Sequence, residues 1–92
     1  MQKRACDEIS CRAFGNTLKW LRTENELSSQ YVANKLNVHR TTYSSWEQGR
    51  YMPPLAMIFK ISEVFEISTQ EFLTIVKEQE HIQDKEFNKD AE

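Results

Sequence analysis

Four polar side chains lie within six residues of the sequence, on one side of a short predicted helix: Arg40, Thr41, Ser44 and Ser45. Arginine offers a fork of N–H donors, and the hydroxyls can donate and accept hydrogen bonds. None of these side chains is acidic. Tyr43 and Trp46, three residues apart, mark the opposite, apolar side of the same helix. A helix with such an outward face suits the major groove of DNA, where base edges present donors and acceptors.

A second short helix must hold this one in position. Residues 28–36 place Val32, Ala33 and Leu36 on one face, and Ser28 is a good N-cap. Asn37 can adopt the left-handed conformation that ends a helix, which predicts a tight turn before the polar helix at 39–48. The N-cap of that helix falls on His39, a poor capping residue. Either its first turn frays, or His39 lies against a phosphate, where a donor is useful.

Three further helices are predicted around this pair. The first clear helix covers 13–25, with Phe14, Leu18 and Leu21 in one buried stripe, Trp20 partly covered and Arg22 beside the stripe. Pro54 can occupy the first turn of a fourth helix. Its apolar residues form a wide face fit for burial: Leu55, Ile58, Phe59, Ile61, Val64 and Phe65. A capping box at Ser68 and Glu71 opens a fifth helix over 69–79, with an inner face of Phe72, Leu73 and Val76.

The two ends of the chain lack this periodicity. Residues 1–12 are either a flexible arm or an early turn of the first helix. Residues 80–92 are either a frayed extension of the fifth helix or an acidic tail, and a solvated tail is the simpler reading. The sharper alternative is that Ile82 and Phe87 pack on a partner. We therefore predict one domain over 13–79, flanked by an arm and a tail.

Charge and composition restrict the class of protein. The net charge of −2 is unevenly divided, since residues 1–76 hold nine Lys and Arg against eight Asp and Glu, and residues 77–92 hold three against six. Overall charge is therefore no argument for nucleic acid. The basic start is followed by no apolar stretch, which predicts a cytoplasmic protein without a secretion signal. Cys6 and Cys11, with no histidine nearby, are expected to be reduced thiols rather than metal ligands.

A series of residues, in order and at matching spacing, resembles the Cro/repressor-type (lambda-repressor-like, XRE) helix-turn-helix family over about 14–72. These residues are Gly15, Arg22, Leu27-Ser28, Val32-Ala33, Val38, Trp46-Glu47-x-Gly49, Pro53, Ile67-Ser68 and Glu71. The resemblance implies an all-α, compact five-helix domain. One departure concerns Ser29, where the family usually has a glutamine that touches the DNA backbone. Gln30 stands one place later, about 100° round the helix, so it is not assumed to substitute.

The resemblance also assigns candidate site residues. Base-edge contacts fall on Arg40, Thr41 and Ser45, with Ser44 as a fourth candidate. Candidates for the DNA backbone are Ser28, Ser29, Gln30, His39, Tyr43, Arg50 and Tyr51. The ring of Tyr43 is expected in the core, with its hydroxyl left for a phosphate. Arg22 and Glu47 are expected to form an ion pair between the first and third helices.

The function implied is a sequence-specific regulator of transcription on double-stranded DNA, more often a repressor in this family. It would bind a two-fold operator as a homodimer, through exposed apolar residues of the fifth helix or through the tail, without a cofactor or metal. The alternative is an interaction adaptor or antitoxin-like component that binds a protein partner, with the acidic tail as support. An enzyme is the weakest reading, because the two histidines are far apart and no nucleophile–base spacing occurs.

Overall fold

Five α-helices make up the computed structural model, which describes the backbone of residues 2–91 and the side chains of residues 11–80. In chain order they are α1 (Gln2–Glu24), α2 (Ser29–Leu36), α3 (Arg40–Glu47), α4 (Leu55–Val64) and α5 (Thr69–Ala91). The described backbone contains no strand. The expected all-α, five-helix architecture is confirmed.

The core forms where α1 crosses α3 and α5, while α2 packs between α3 and α4. Phe14 and Phe72 meet edge to face, with ring centroids 5.4 Å apart. Every helix contributes apolar side chains to one cluster, among them Leu18, Leu21, Val32, Ala33, Leu36, Tyr43, Trp46, Ile58, Ile61 and Phe65. Because an isolated helix of eight residues is marginal in water, α2 and α3 depend on this shared core for their stability.

Local capping sets the boundaries of the two central helices. The Ser28 hydroxyl accepts a hydrogen bond from the Tyr31 backbone N–H at 3.0 Å, as expected of an N-cap. Asn37 is left-handed (φ 63°, ψ 44°), and the Val38 N–H donates to the Ala33 carbonyl at 3.0 Å. This bond closes the last turn of α2 and reverses the chain sharply into α3.

The terminal helices are longer than the sequence pattern predicted. The backbone is already helical from Gln2, and α5 continues to Ala91. Neither extension contains glycine or proline, so intrinsic propensity allows a helix where periodicity gave no signal. The side chains of Cys6, Ile82 and Phe87 lie outside the described residues, and the domain limits of 13–79 stay a prediction.

Two expected apolar faces were partly wrong. Leu55 is 78% exposed, Phe59 56% and Leu73 47%. On the core side of α4, Ile58, Ile61 and Phe65 are buried, and Met57 and Val64 pack partly buried against the same cluster. The neighbouring helices α2 and α5 cover only this side of α4. On α5, Leu73 lies about 100° round the helix from buried Phe72, and Ile75 packs on the core instead.

Candidate nucleic-acid interface

The first turn of α3 and the exposed side of α2 border a common cleft. Arg40 and Thr41 are both exposed at the start of α3. The cleft has a volume of about 470 Å³ and is lined by Gln30, Asn34, Asn37, Val38, His39, Arg40 and Thr41. This lining is polar except for Val38, and its only full charge is the guanidinium of Arg40. It can therefore offer hydrogen bonds and one positive charge to a ligand.

The N-terminus of α3 has no side-chain cap. His39 holds the extended conformation of an N-cap residue (φ −68°, ψ 146°), but its imidazole makes no capping hydrogen bond. The first N–H groups of a helix have no partner within the helix, and the helix dipole favours negative charge at that end. An acceptor from outside, such as a phosphate oxygen, could therefore be bound there.

The two candidate serines of α3 are less available than Arg40 and Thr41. Ser44 and Ser45 are half-buried. The Ser45 hydroxyl donates to the Thr42 carbonyl at 2.7 Å, so its proton is engaged within the helix. Its oxygen lone pairs remain, which suits a donor on a base, such as the amino group of adenine or cytosine.

On α2, two side-chain amides that line the cleft are hydrogen-bonded to each other. The Gln30 side-chain N–H donates to Asn34 Oδ1 at 2.9 Å. Both residues are exposed, while Ser29 is half-buried and Ser28 holds the cap. The sequence interpretation missed Asn34. The spacing of four residues between the two amides, which puts them on one helix face, was the signal that could have found it.

The C-terminal end of α3 is held closely by α1. A Cβ added at Gly15 would overlap the backbone carbonyl oxygens of Trp46 and Glu47. Gly49 has a φ of +76°, and the Arg50 N–H donates to the Ser45 carbonyl at 3.0 Å, which closes the helix. Glycine at position 15 thus allows a backbone approach that any side chain would prevent.

An ion pair fastens the same end. Arg22 Nε donates to Glu47 Oε2 at 2.6 Å, and its Nη2 donates to Glu47 Oε1 at 3.2 Å. The remaining terminal nitrogen of Arg22 donates to the Leu27 carbonyl at 3.1 Å. The hydrogen bond to Glu47 raises the pKa of Arg22 despite the opposing effect of burial. The pair expected between these residues is present, and it links α1, the α1–α2 turn and α3.

Tyr43 does not fulfil its expected role at a phosphate. The residue is fully buried, and its hydroxyl finds no hydrogen-bond partner among the described residues. Burial, and next to it the neighbouring Glu47 carboxylate, raise the pKa of Tyr43 well above its usual range. Core packing therefore accounts for the ring, and the hydroxyl lies buried beside the charged groups of Glu47 and Arg22.

The model of a family described as "Helix-turn-helix" matches residues 18–72, well over half of the chain. The chain belongs to this helix-turn-helix family. Its matched region includes both short helices, the turn at Asn37 and the ion pair.

Three curated relatives share this helix-turn-helix region. The HTH-type transcriptional activator BcrR of Enterococcus faecalis is 34% identical over 61 residues, which are 66% of this chain and 30% of BcrR. The uncharacterized HTH-type transcriptional regulator MJ0272 of Methanocaldococcus jannaschii is 36% identical over 56 residues, or 61% of this chain and 85% of MJ0272. The cryptic phage CTXphi transcriptional repressor RstR of Vibrio cholerae is 28% identical over 61 residues, or 66% of this chain and 55% of RstR.

Two solved structures are similar in fold to this chain. The clp gene regulator ClgR from Corynebacterium glutamicum superposes with a TM-score of 0.83 at 16% identity, over 89% of this chain and 87% of ClgR, and so supports the fold alone. The restriction-modification controller protein C.AhdI from Aeromonas hydrophila gives a TM-score of 0.64 at 27% identity, over 67% of this chain and 94% of C.AhdI.

The matched segment spans about a third of BcrR and about half of RstR. Over the described part of the helix-turn-helix chain, no helix has the length and apolarity needed to cross a membrane.

The loop after the helix-turn-helix holds the last two candidates. Arg50 and Tyr51 are both exposed, directly after the C-terminus of α3. Of the candidates for the DNA backbone, Arg50, Tyr51, Ser28, Gln30 and His39 are thus exposed, Ser29 is half-buried, and Tyr43 is inaccessible. The fold brings Gln30, His39, Arg40 and Thr41 to one cleft.

Proposed function

We propose that this chain is a sequence-specific regulator of transcription that binds double-stranded DNA and places helix 39–48 in the major groove. The observation that carries the proposal is the charge distribution on α3. Its single acid, Glu47, is paired with Arg22, and Arg40 is exposed in the first turn. In this motif the first turn of the recognition helix reaches the base edges. An unpaired acid on the same helix would be repelled by the DNA phosphates.

Base reading is assigned to Arg40 and Thr41, with Ser44 and Ser45 contributing from half-buried positions. A guanidinium can form two parallel hydrogen bonds to O6 and N7 of guanine, and a threonine methyl can contact thymine. Phosphate contacts are assigned to Ser28, Ser29, Gln30, His39, Arg50 and Tyr51, around the cleft and in the loop after α3. These contacts set register and affinity, whereas the base contacts set sequence choice.

We further propose that the protein acts as a repressor and binds a two-fold operator as a homodimer in the cytoplasm. One domain reads only a few base pairs, and two copies one helical turn apart double the site. RstR is described as a repressor and BcrR as an activator. Repression requires only occupancy of a site that overlaps a promoter. A reporter carrying the selected site at its promoter should therefore lose expression when the chain is produced, and a gain would identify an activator.

The decisive experiment compares Arg40→Ala with Arg50→Ala on a duplex selected from random sequences. If Arg40 reads guanine, Arg40→Ala should cost about 1–3 kcal/mol on the selected site and relax choice at one base pair. Arg50→Ala, the control for a phosphate contact, should weaken all sequences alike and lower the salt slope by about one. If Arg40→Ala leaves affinity and preference unchanged, α3 is not the reading helix, and the adaptor or antitoxin-like alternative replaces this proposal.

A further inference from the structure

An exposed apolar face follows the recognition helix in the chain. Met52, Leu55 and Phe59 are 47%, 78% and 56% exposed, and we call these three residues the α4 face. Leu55 and Phe59 lie one helical turn apart and are therefore neighbours on the surface of α4. Residues 51–59 contain no charged side chain. A contiguous apolar surface of this kind on a small protein commonly marks an interaction site.

Packing within the subunit does not account for the α4 face. The opposite side of α4 already fills the core through Ile58, Ile61 and Phe65. Lys60 and Glu63, both exposed, follow the face along the helix with opposite charges. An apolar centre with a polar margin is the usual composition of a protein–protein contact.

The dimensions of the domain bring a second copy close to this face. Two recognition helices on a two-fold operator lie about 34 Å apart. The domain measures 22 and 21 Å across its two shorter axes, counted between Cα atoms. Side chains add roughly 3 Å on each side, to judge from the outer diameter of a helix. With a shorter axis along the DNA, two copies on adjacent half-sites are separated by only a few ångströms, and protruding side chains on their facing flanks would meet. The third axis, 42 Å long, would leave no gap in that direction.

Self-complementarity favours the α4 face over the outward side of α2. A two-fold contact places a surface patch against the same patch of the other copy. An uncharged apolar patch fits itself, whereas a charged patch repels itself. The outward side of α2 carries Lys35, packed over the Tyr31 ring at 5.6 Å, beside the amides of Gln30 and Asn34. The linker of residues 48–54 holds α4 next to the DNA-binding surface.

We propose that Met52, Leu55 and Phe59 form the contact between two copies of this chain on adjacent half-sites, an inference that rests on the proposed function. The sequence pointed to the fifth helix and the tail instead. The three side chains expose on the order of 300 Å², taking about 200 Å² for a large side chain. A stable complex buries about 800 Å² on each partner. The contact is therefore weak in free solution and effective on DNA, which holds the copies at high local concentration.

The test compares the parent chain, the double variant Leu55→Gln/Phe59→Gln, and Trp20→Gln as control. Glutamine keeps the net charge and the helix propensity. Trp20 is 47% exposed on α1, so its substitution also removes an exposed apolar side chain, but from a different helix. Each protein is titrated onto the selected duplex and onto a duplex in which one half-site is scrambled, after circular dichroism has established equal folding.

On the selected duplex, the second copy of the parent should bind beside the first at least tenfold more tightly than a single copy binds the duplex with one intact half-site. The double variant should lose that factor and bind the single half-site within twofold of the parent, and Trp20→Gln should match the parent on both.

Three results would overturn the inference. They are unchanged cooperativity in the double variant, an equal loss in Trp20→Gln, and a fall in half-site affinity of the folded double variant, which would mean that the face contacts DNA. Should the parent bind no duplex at all, the proposed function fails, and sedimentation equilibrium up to millimolar concentration then tests the face alone. If the parent self-associates and the double variant does not, the proposed contact is supported. If the parent does not self-associate, the proposed contact is refuted.

Discussion

The two ends of α3 are built in opposite ways. At the C-terminal end, Gly15 lets α1 approach the backbone, Gly49 closes the helix, and Glu47 is bound by Arg22. At the N-terminal end, His39 provides no side-chain cap, and Arg40 is exposed. Close packing and paired charges stabilise the first end. The second end leaves its N–H groups and its cation available to a partner.

This difference separates stability from recognition along a helix of eight residues. A short helix fixed at one end projects its other end in a defined direction without needing contacts there. Substitutions at the C-terminal end should therefore lower the free energy of unfolding, whereas substitutions at the N-terminal end should act mainly on binding and change stability by at most about 1 kcal/mol. Four sets of substitutions test this division.

The largest effect is expected for Gly15→Ala. The added methyl group would overlap the carbonyl oxygens of Trp46 and Glu47, and backbone atoms cannot turn aside as a side chain can. We expect a loss of about 3 kcal/mol in the free energy of unfolding, although alanine favours the helix itself. Urea denaturation measures it, with Asn16→Ala as the neighbouring control. A Gly15→Ala protein as stable as the parent would show that α1 does not pack on α3 this closely.

The ion pair should show strong coupling. Its side chains are only 20% (Arg22) and 11% (Glu47) exposed, so removing one partner leaves a poorly hydrated charge. We expect Arg22→Met and Glu47→Gln each to cost about 2 kcal/mol, less than a fully buried pair because solvent still reaches both groups. The double variant should lose clearly less than the two single losses combined. Strict additivity in the double-mutant cycle would contradict a direct interaction.

Tyr43 predicts an alkaline loss of stability. Burial raises the pKa of its phenol, so the folded protein keeps a proton that the unfolded chain releases above about pH 10. The contribution to stability is complete below that pH and declines as the pH rises further, by roughly 1 kcal/mol at pH 11. Tyr43→Phe should remove this part of the decline. Urea midpoints of both proteins between pH 8 and 11 measure it, and parallel curves would refute the assignment.

The smallest effect is expected at the open end. His39→Ser supplies the missing cap and should raise the free energy of unfolding by roughly 0.5–1 kcal/mol. Ser28→Ala, which removes an existing cap from α2, should lower it by a similar amount. DNA binding then separates the two readings of His39. If His39 contacts a phosphate, His39→Ser weakens all sequences alike, and if the first turn only frays, affinity stays the same.

Features that depend on neighbouring residues could be predicted from the sequence. Ser28, Asn37 and Ser68 act through hydrogen bonds within a few positions, and all three mark helix ends where the sequence placed them. The spacing of Phe14, Leu18 and Leu21 identified the buried stripe of α1. The partner of Arg22 followed from the resemblance, since no local rule connects it to Glu47.

Features that depend on distant coverage could not be predicted. Leu55, Phe59 and Leu73 satisfy the helical pattern of a core, and only the placement of α2 and α5 leaves them exposed. Whether the hydroxyl of Tyr43 reaches solvent likewise depends on Arg22 of α1, which is its neighbour in space but distant in sequence. Among the site residues, Asn34 shares a helix face with Gln30 by its spacing, but its place in the cleft depends on how α2 crosses α3.

The anchoring of α3 has a consequence for how such proteins diversify. Arg40 and Thr41 take no part in the apolar core cluster, so most side chains could replace them without refolding the domain. A duplicated gene could therefore acquire a new target site through a few substitutions in one turn of helix. Gly15, Arg22 and Glu47 would meanwhile be retained in every copy, because they hold α3 in place whichever DNA sequence it binds.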